Sequence, residues 1–177
     1  MTEVATVAGG CFWCTEAVFK RLKGVTKVTP GYSGGKMDDP DYDHVSMGTT
    51  GHAEAIQLEF DPDVISFDTI LDVFFATHDP TTLNAQGNDV GTQYRSVIFY
   101  HNEEQKKLAE SKMKPGYVTQ ITRFEKFYDA ESYHKDYYDK NKDSNPYCTV
   151  VIDPKVKKLL QKFSEEIKPE YLSPVVQ

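Results

Sequence analysis

The chain has 177 residues, with 20 Lys and Arg against 27 Asp and Glu and a formal charge of −7. That length suits one domain whose core needs no disulfide staples. An acidic chain is a poor match for nucleic acid or an anionic membrane surface, and no apolar run nears the roughly 20 residues of a membrane span. Three cysteines, an odd and sparse set, do not make a secreted disulfide framework. They point to reactive or core thiols in a reducing compartment. Met1-Thr2-Glu3 opens without a basic or apolar leader, which adds to the expectation of a cytoplasmic protein. Eleven Tyr, ten Phe and one Trp suggest a pocket lined by rings.

In chain order, 4–8 is a short branched run that reads as a buried strand, broken by Gly9-Gly10. Residues 11–23 read as a helix, with Trp13, Ala17, Val18 and Leu22 near helical spacing and Gly24 as the stop. A second strand runs over 25–32, interrupted by Pro30. The polar, Gly- and Asp-rich stretch 33–50 reads as a long loop, a length that is uncommon unless the loop is functional. Residues 53–60 alternate, with Ile56, Leu58 and Phe60 on one face. Ser66 caps a helix that carries Phe67, Ile70, Leu71 and Phe74 at i, i+3, i+4 and i+7. A second irregular stretch, 78–92, leads into a strand at 96–100.

This order is β-α-β-β-α-β, the split or ferredoxin-like arrangement, and predicts an α+β domain on a mixed sheet. The remainder reads as additions. They are a charged helix over 103–114, a strand near 117–127, a Tyr-rich helix from Ala130 and a short strand over 149–152. A last helix starts at Asp153-Pro154, with Asp153 as its cap. One domain is expected over 1–177, with a C-terminal extension from about 145.

Cys11, in Gly9-Gly10-Cys11-Phe12-Trp13-Cys14, lies at a strand–helix junction. Unpaired N–H groups and partial positive charge at a helix N-terminus favour a thiolate, so a lowered thiol pKa is expected. Two glycines permit a sharp turn and close approach of substrate. A buried structural cysteine is the plainer alternative. Cys14 lies one helical turn on, and either bridges Cys11 or packs in the core. Cys148 follows Pro146-Tyr147, in a loop entering the expected strand, and is either a resolving thiol or simply buried. No second Cys-x-x-Cys or His pair completes a zinc site, so no metal is expected.

Counting by twos from Ile56 puts Glu54 on the apolar face of its strand. Burial there would raise its pKa and keep it protonated near neutral pH, which a general acid needs. A later strand start would leave it solvated. Tyr32, Tyr42 and Tyr94 lie in or beside the irregular stretches, where a phenol can hold a polar oxygen. Tyr133, Tyr137 and Tyr138 read as core contacts, and His134 as packing or surface.

Several motifs then fall in one order. Gly10-Cys11-Phe12-Trp13, Gly51-His52-Ala53-Glu54, His78-Asp79-Pro80-Thr81, Gln86-Gly87-Asn88-Asp89 and Gly91-Thr92-Gln93-Tyr94-Arg95-Ser96 resemble the peptide methionine sulfoxide reductase A family. Ala130-Glu131-Ser132-Tyr133-His134 resembles a later motif of that family. The resemblance implies a ferredoxin-like fold and reduction of methionine S-sulfoxide, free or in peptides and oxidised proteins. It makes Cys11 the nucleophile, Glu54 the acid, and Tyr42 and Tyr94 the hydrogen-bond partners of the sulfoxide oxygen. Phe12 and Trp13 would hold the S-methyl group, with Asp89 supporting the site. A Cys11 sulfenic acid would be resolved by a second cysteine and recycled by thioredoxin, or by dithiothreitol in vitro, with no bound cofactor and a monomeric enzyme. Many relatives have Gly at the position of Cys14, and the expectation favours Cys148 over Cys14 as resolver. A thioredoxin-like disulfide oxidoreductase using Cys11 and Cys14 is the alternative.

Overall fold

The computed structural model describes residues 1–172; residues 173–177, the end of the expected C-terminal extension, lie outside it. The chain runs β1 (Glu3–Ala8), α1 (Phe12–Phe19), β2 (Val25–Ser33), α2 (Tyr42–Ser46), β3 (Ala53–Phe60) and α3 (Phe67–Thr77). A small ladder of β4 (Ala85–Gln86) and β5 (Asp89–Val90) precedes β6 (Val97–Tyr100). Then follow α4 (Glu103–Lys112), β7 (Gln120–Arg123), β8 (Phe127–Asp129), α5 (Tyr137–Asn141) and α6 (Asp153–Lys162).

The main sheet has the order β7-β6-β1-β3-β2-β8. Its four inner strands, β6-β1-β3-β2, are mutually antiparallel, as a split β-α-β core requires. The additions make it mixed: β7 joins β6 in parallel and β8 joins β2 antiparallel. Ile56, Leu58 and Phe60 of β3 pack with Phe12, Val18 and Phe19 of α1 and Ile70, Leu71 and Phe74 of α3. Small residues fill the other face, where Ala53 and Ala55 meet Ala8, Val97 and Phe99. The period of two in the sequence is therefore the period of the two faces.

Pro30 sits inside β2 without breaking it. Its carbonyl accepts from Ala130 N–H just past the end of β8, while Pro30 pairs with Ile56 across to β3. A strand residue's N–H and C=O point the same way, so the missing donor faces the β8 side, where the β2–β8 ladder has ended. Ser66 caps α3 by accepting from Thr69 N–H at 3.0 Å.

Several sequence expectations need correction. The helix expected over 11–23 ends at Phe19, and the chain then turns so that Leu22 bridges to Ile167. The strand expected over 117–127 is two short strands at opposite edges of the sheet. The late Tyr-rich helix is a 3₁₀ turn over Ser132–His134 followed by the short α5. Between them Asp136 adopts φ +54°, and its N–H is held by both oxygens of buried Glu16 at 3.0 Å.

The strand expected over 149–152 is a π-helical turn, Cys148–Ile152, running directly into α6. Thr149-Val150-Val151-Ile152 has strand propensity, but Cys148, Ile152 and Val156 are all buried against Cys11, Cys14 and Ala17. That spacing of four fits a helix, and packing overrides propensity. Asp153 accordingly does not cap α6; its carboxylate accepts from the Tyr138 hydroxyl.

Candidate active site

Cys11 ends the turn between β1 and α1 and stands at the N-cap, with extended φ −62° and ψ 130°. Gly10 makes this turn possible: its φ is +89°, and a Cβ would lie 2.8 Å from Gln86 Cγ. Gln86 accepts from Asp79 N–H, so the Gln86-Gly87 and His78-Asp79 stretches brace the Cys11 turn from below. His78 lies under Gly9, bonded to Phe74 O and Ser96 Oγ. Burial drives its pKa down to about 4, so the ring is a neutral strut.

Only 8% of Cys11 is exposed. Burial pushes its thiol well above the ordinary value, a hydrogen bond to Cys14 and the Glu54 charge add to this, and Trp13 N–H opposes it weakly. The expected lowering at a helix terminus is therefore reversed. Desolvation of a nearly enclosed sulfur outweighs one N–H dipole. The partner benefits: the Cys11 hydrogen bond, with Lys155 and Tyr147, brings Cys14 down to about 7 against the effect of its own burial.

Glu54 projects from β3 on the apolar face and is 1% exposed. Its Oε1 accepts from Phe12 N–H, the first residue of α1, at 3.1 Å. That single bond holds the carboxyl beside Cys11, but burial raises its pKa to about 8 and the charges of Asp89 and Cys14 raise it further. At neutral pH the group is a carboxylic acid with a proton to give.

Tyr42 opens α2, whose start is fixed by Glu131: one Glu131 oxygen accepts from Tyr42 N–H at 2.8 Å and the other from Tyr32 hydroxyl at 2.9 Å. Tyr94 closes the 3₁₀ turn Thr92–Tyr94 after Gly91, whose φ of +148° leaves no room for a side chain against Gln93. Burial, then the Glu54 charge, raises both phenols, Tyr42 to about 12 and Tyr94 beyond. Both are neutral donors gathered around Glu54 and Cys11.

Rings surround this group. Phe12 lies tilted on Tyr32 at 5.6 Å and stacked toward Tyr42 at 6.4 Å. Trp13 stacks on Tyr137 at 3.7 Å, and its indole N–H donates to His134 Nδ1 at 3.0 Å. Burial lowers the His134 pKa, so the proton of the neutral ring sits on Nε2. Nε2 has no partner among the described residues. Of the two readings of His134, packing or surface, the structure shows packing: the ring is fully buried among Phe12, Trp13 and Tyr42 and pins the indole. Its place in the motif Ala130-Glu131-Ser132-Tyr133-His134 was the available signal.

The three cysteines share one cluster with Ala17, Tyr138, Ile152 and Val156. Cys14 lies one helical turn from Cys11 and acts on its thiol, while Cys148, fully buried in the π-helical turn, feels the charge of Cys14. Asp89, on the β4–β5 ladder, accepts from Tyr147 hydroxyl at 2.5 Å. Tyr147 was not singled out from sequence, although it immediately precedes Cys148. Among the described residues no group of three His, Cys, Asp or Glu side chains is placed to hold a metal ion, and no helix is long and apolar enough to cross a membrane.

A buried thiol, a buried acid that holds its proton and two neutral phenols are thus gathered at the start of α1. Residues 3–168 match the family model for peptide methionine sulfoxide reductase. The peptide methionine sulfoxide reductase MsrA of Saccharolobus solfataricus is 58% identical over 173 residues, covering 94% of this chain and 97% of its own. Reduced Mxr1 from Saccharomyces cerevisiae superposes with a TM-score of 0.76 at 40% identity, over 81% of this chain and 88% of the other. Mxr1 in complex with Trx2 gives a TM-score of 0.52 at 28% identity, over 77% and 84%. The chain belongs to the peptide methionine sulfoxide reductase family, and its enzymatic activity is the reduction of methionine sulfoxide.

Proposed function

We propose that the chain reduces the S epimer of methionine sulfoxide, free or within peptides and proteins, by a sulfenic acid route. Phe12 and Trp13 receive the S-methyl group, Asp89 supports the bound substrate, and Tyr42 and Tyr94 donate to the sulfoxide oxygen. Glu54 gives that oxygen its proton as Cys11 sulfur attacks. The oxygen passes to Cys11, methionine leaves, and Cys11 becomes a sulfenic acid. The observation that carries this reading is Glu54, 1% exposed, protonated to about pH 8, and tied to the residue after Cys11.

Cys14 is the first resolver in this reading. Cys11 stands outside the helix and Cys14 in its first turn, and both thiols lie in one buried cluster, which supports a direct Cys11–Cys14 bridge with loss of water. Cys148 is next in line, by exchange with Cys14. Thioredoxin supplies the final electron pair, as the complex of Mxr1 with Trx2 suggests for a relative. A thioredoxin-like disulfide oxidoreductase would leave Glu54 and its phenols without a task. A sparse set of three cysteines suits a reducing cytoplasm. The chain works as one domain, its extension from about 145 closing over α1. All these residues come from one chain, so a monomer suffices.

The test is release of methionine from each epimer by enzyme in slight excess, without reductant. The S epimer should give one equivalent with wild type and none with Cys11→Ser. Equal rates for both epimers, or methionine from Cys11→Ser, would overturn the reading.

A further inference from the structure

Tyr147 has no step of its own in the reduction, although it touches Asp89 and Trp13, which the reduction uses. Its hydroxyl lies 2.5 Å from Asp89 Oδ2 and 3.8 Å from Cys14 Sγ, and its ring stands edge-on to Trp13 at 5.9 Å and 82°. The hydroxyl is therefore fixed in position by two contacts and aimed at one sulfur. A phenol has one proton and can also accept. While Cys14 is a thiol, Tyr147 donates to Asp89 and can accept from the Cys14 S–H. Once Cys14 loses its proton, a turn about the C–O bond brings the phenol proton onto the sulfur with no movement of heavy atoms.

The groups facing Cys14 are few. Cys11 is consumed when it becomes sulfenic acid, Lys155 acts through its charge, Asp89 opposes a thiolate, and Glu54 and Cys148 feel the Cys14 charge without bonding its sulfur. Tyr147 is then the neutral donor left beside the attacking sulfur. We propose that Tyr147 is a positioning residue of the recycling step, holding Cys14 Sγ toward Cys11 and donating to the Cys14 thiolate as it attacks the Cys11 sulfenic acid. The step forms the S–S bond and breaks the Cys11 S–O bond. Cys14 is oxidised, the sulfenic sulfur is reduced, and the leaving hydroxide takes the proton lost by Cys14 to become water.

The proposal rests on Cys14 being the first resolver, and the experiment separates the two. Wild type, Tyr147→Phe and Tyr147→Ala are mixed with one equivalent of S-sulfoxide. Methionine release and free-thiol loss are followed together across pH, and the bridged peptides are identified by mass. Phe keeps the ring against Trp13 and removes only the hydroxyl. Tyr147→Phe should release methionine within about twofold of wild type. It should close the Cys11–Cys14 bridge about tenfold or more slowly, the scale of one hydrogen bond to a charged group, with the pH midpoint of closure moved upward. An unchanged closure rate and midpoint in Tyr147→Phe would overturn the role of the hydroxyl. So would full rescue by Phe of a defect seen in Ala, since that would make the role one of packing. A Cys11–Cys148 bridge forming first in wild type would instead remove the resolver reading, and the proposal with it.

Discussion

β3 and the stretch from Lys142 to Ile152 each bring a working side chain toward α1, by different physical means. β3 is an inner strand, bonded to β1 and β2 on its two sides, and Glu54 pairs across it with Tyr32. Its backbone cannot shift without breaking two ladders, so the proton donor is fixed relative to Cys11. The later stretch has no ladder. Beyond the local backbone bonds of its turns, it is held by side chains: Tyr147 on Asp89 and Cys14, and Asn145 on the Tyr137 hydroxyl at 2.7 Å. It then passes through a π-helical turn, a form frequent at functional sites. Reduction of the sulfoxide needs a rigid acid, whereas recycling needs a sulfur that can exchange partners. The fold sets the acid at the sheet centre, and it brings the partners of the Cys14 sulfur, Tyr147 and Cys148, from a segment outside the ladders.

The sharpest way to break this contrast is Glu54→Gln, which keeps the acceptor for Phe12 N–H and removes the proton. Single-turnover methionine release should fall by about 10²–10⁴-fold, measured by rapid quench; a change of only a few-fold would take the acid out of β3. The recycling half is tested next. Cys14→Ser should release the first methionine at close to the wild-type rate and lose most thioredoxin-supported turnover. Cys148→Ser should still form the Cys11–Cys14 bridge and lose less. The opposite ranking would move the resolver into the later segment.

Smaller effects sharpen the picture of the rigid half. Gly10→Ala places a side chain at φ +89° against Gln86, and should cost about 1–3 kcal/mol in denaturant unfolding. Little loss would mean that the Cys11 turn is looser than described. Glu54→Gln should also change stability with pH. The folded carboxyl titrates near 8 rather than 4.5, so the native state holds an extra proton between those values. Wild-type stability therefore falls as pH rises through that window, by at most about 1.4 kcal/mol per unit. Glu54→Gln lacks this penalty, so its melting temperature should gain on wild type from pH 5 to pH 8.

The same contrast governs what could be read from the sequence. Ile56, Leu58 and Phe60 carry the period of a half-buried strand, and extending it backward reached Glu54, because an inner strand's faces are set by its own alternation. The β-α-β-β-α-β order was legible for the same reason. The region after Ala130 was not. Its π-helical turn depends on Cys11, Cys14 and Ala17, more than 120 residues earlier, and a run of β-branched residues says nothing of them. The Cys11 thiol was misjudged because a helix terminus is visible in sequence and the burial of a sulfur is not. Tyr42 and Tyr94 stood out only through family resemblance; eleven tyrosines look alike until Glu54 gathers two of them.

The central claim is that a neutral Glu54 delivers the proton, and the pH profile of the first methionine release tests it most directly. With one equivalent of S-sulfoxide and no reductant, the wild-type rate should fall as pH rises through about 8, where Glu54 loses its proton. In Glu54→Gln the residual rate should show no such fall. A wild-type rate that keeps rising past that point, or a falling limb that survives in Glu54→Gln, would contradict the account.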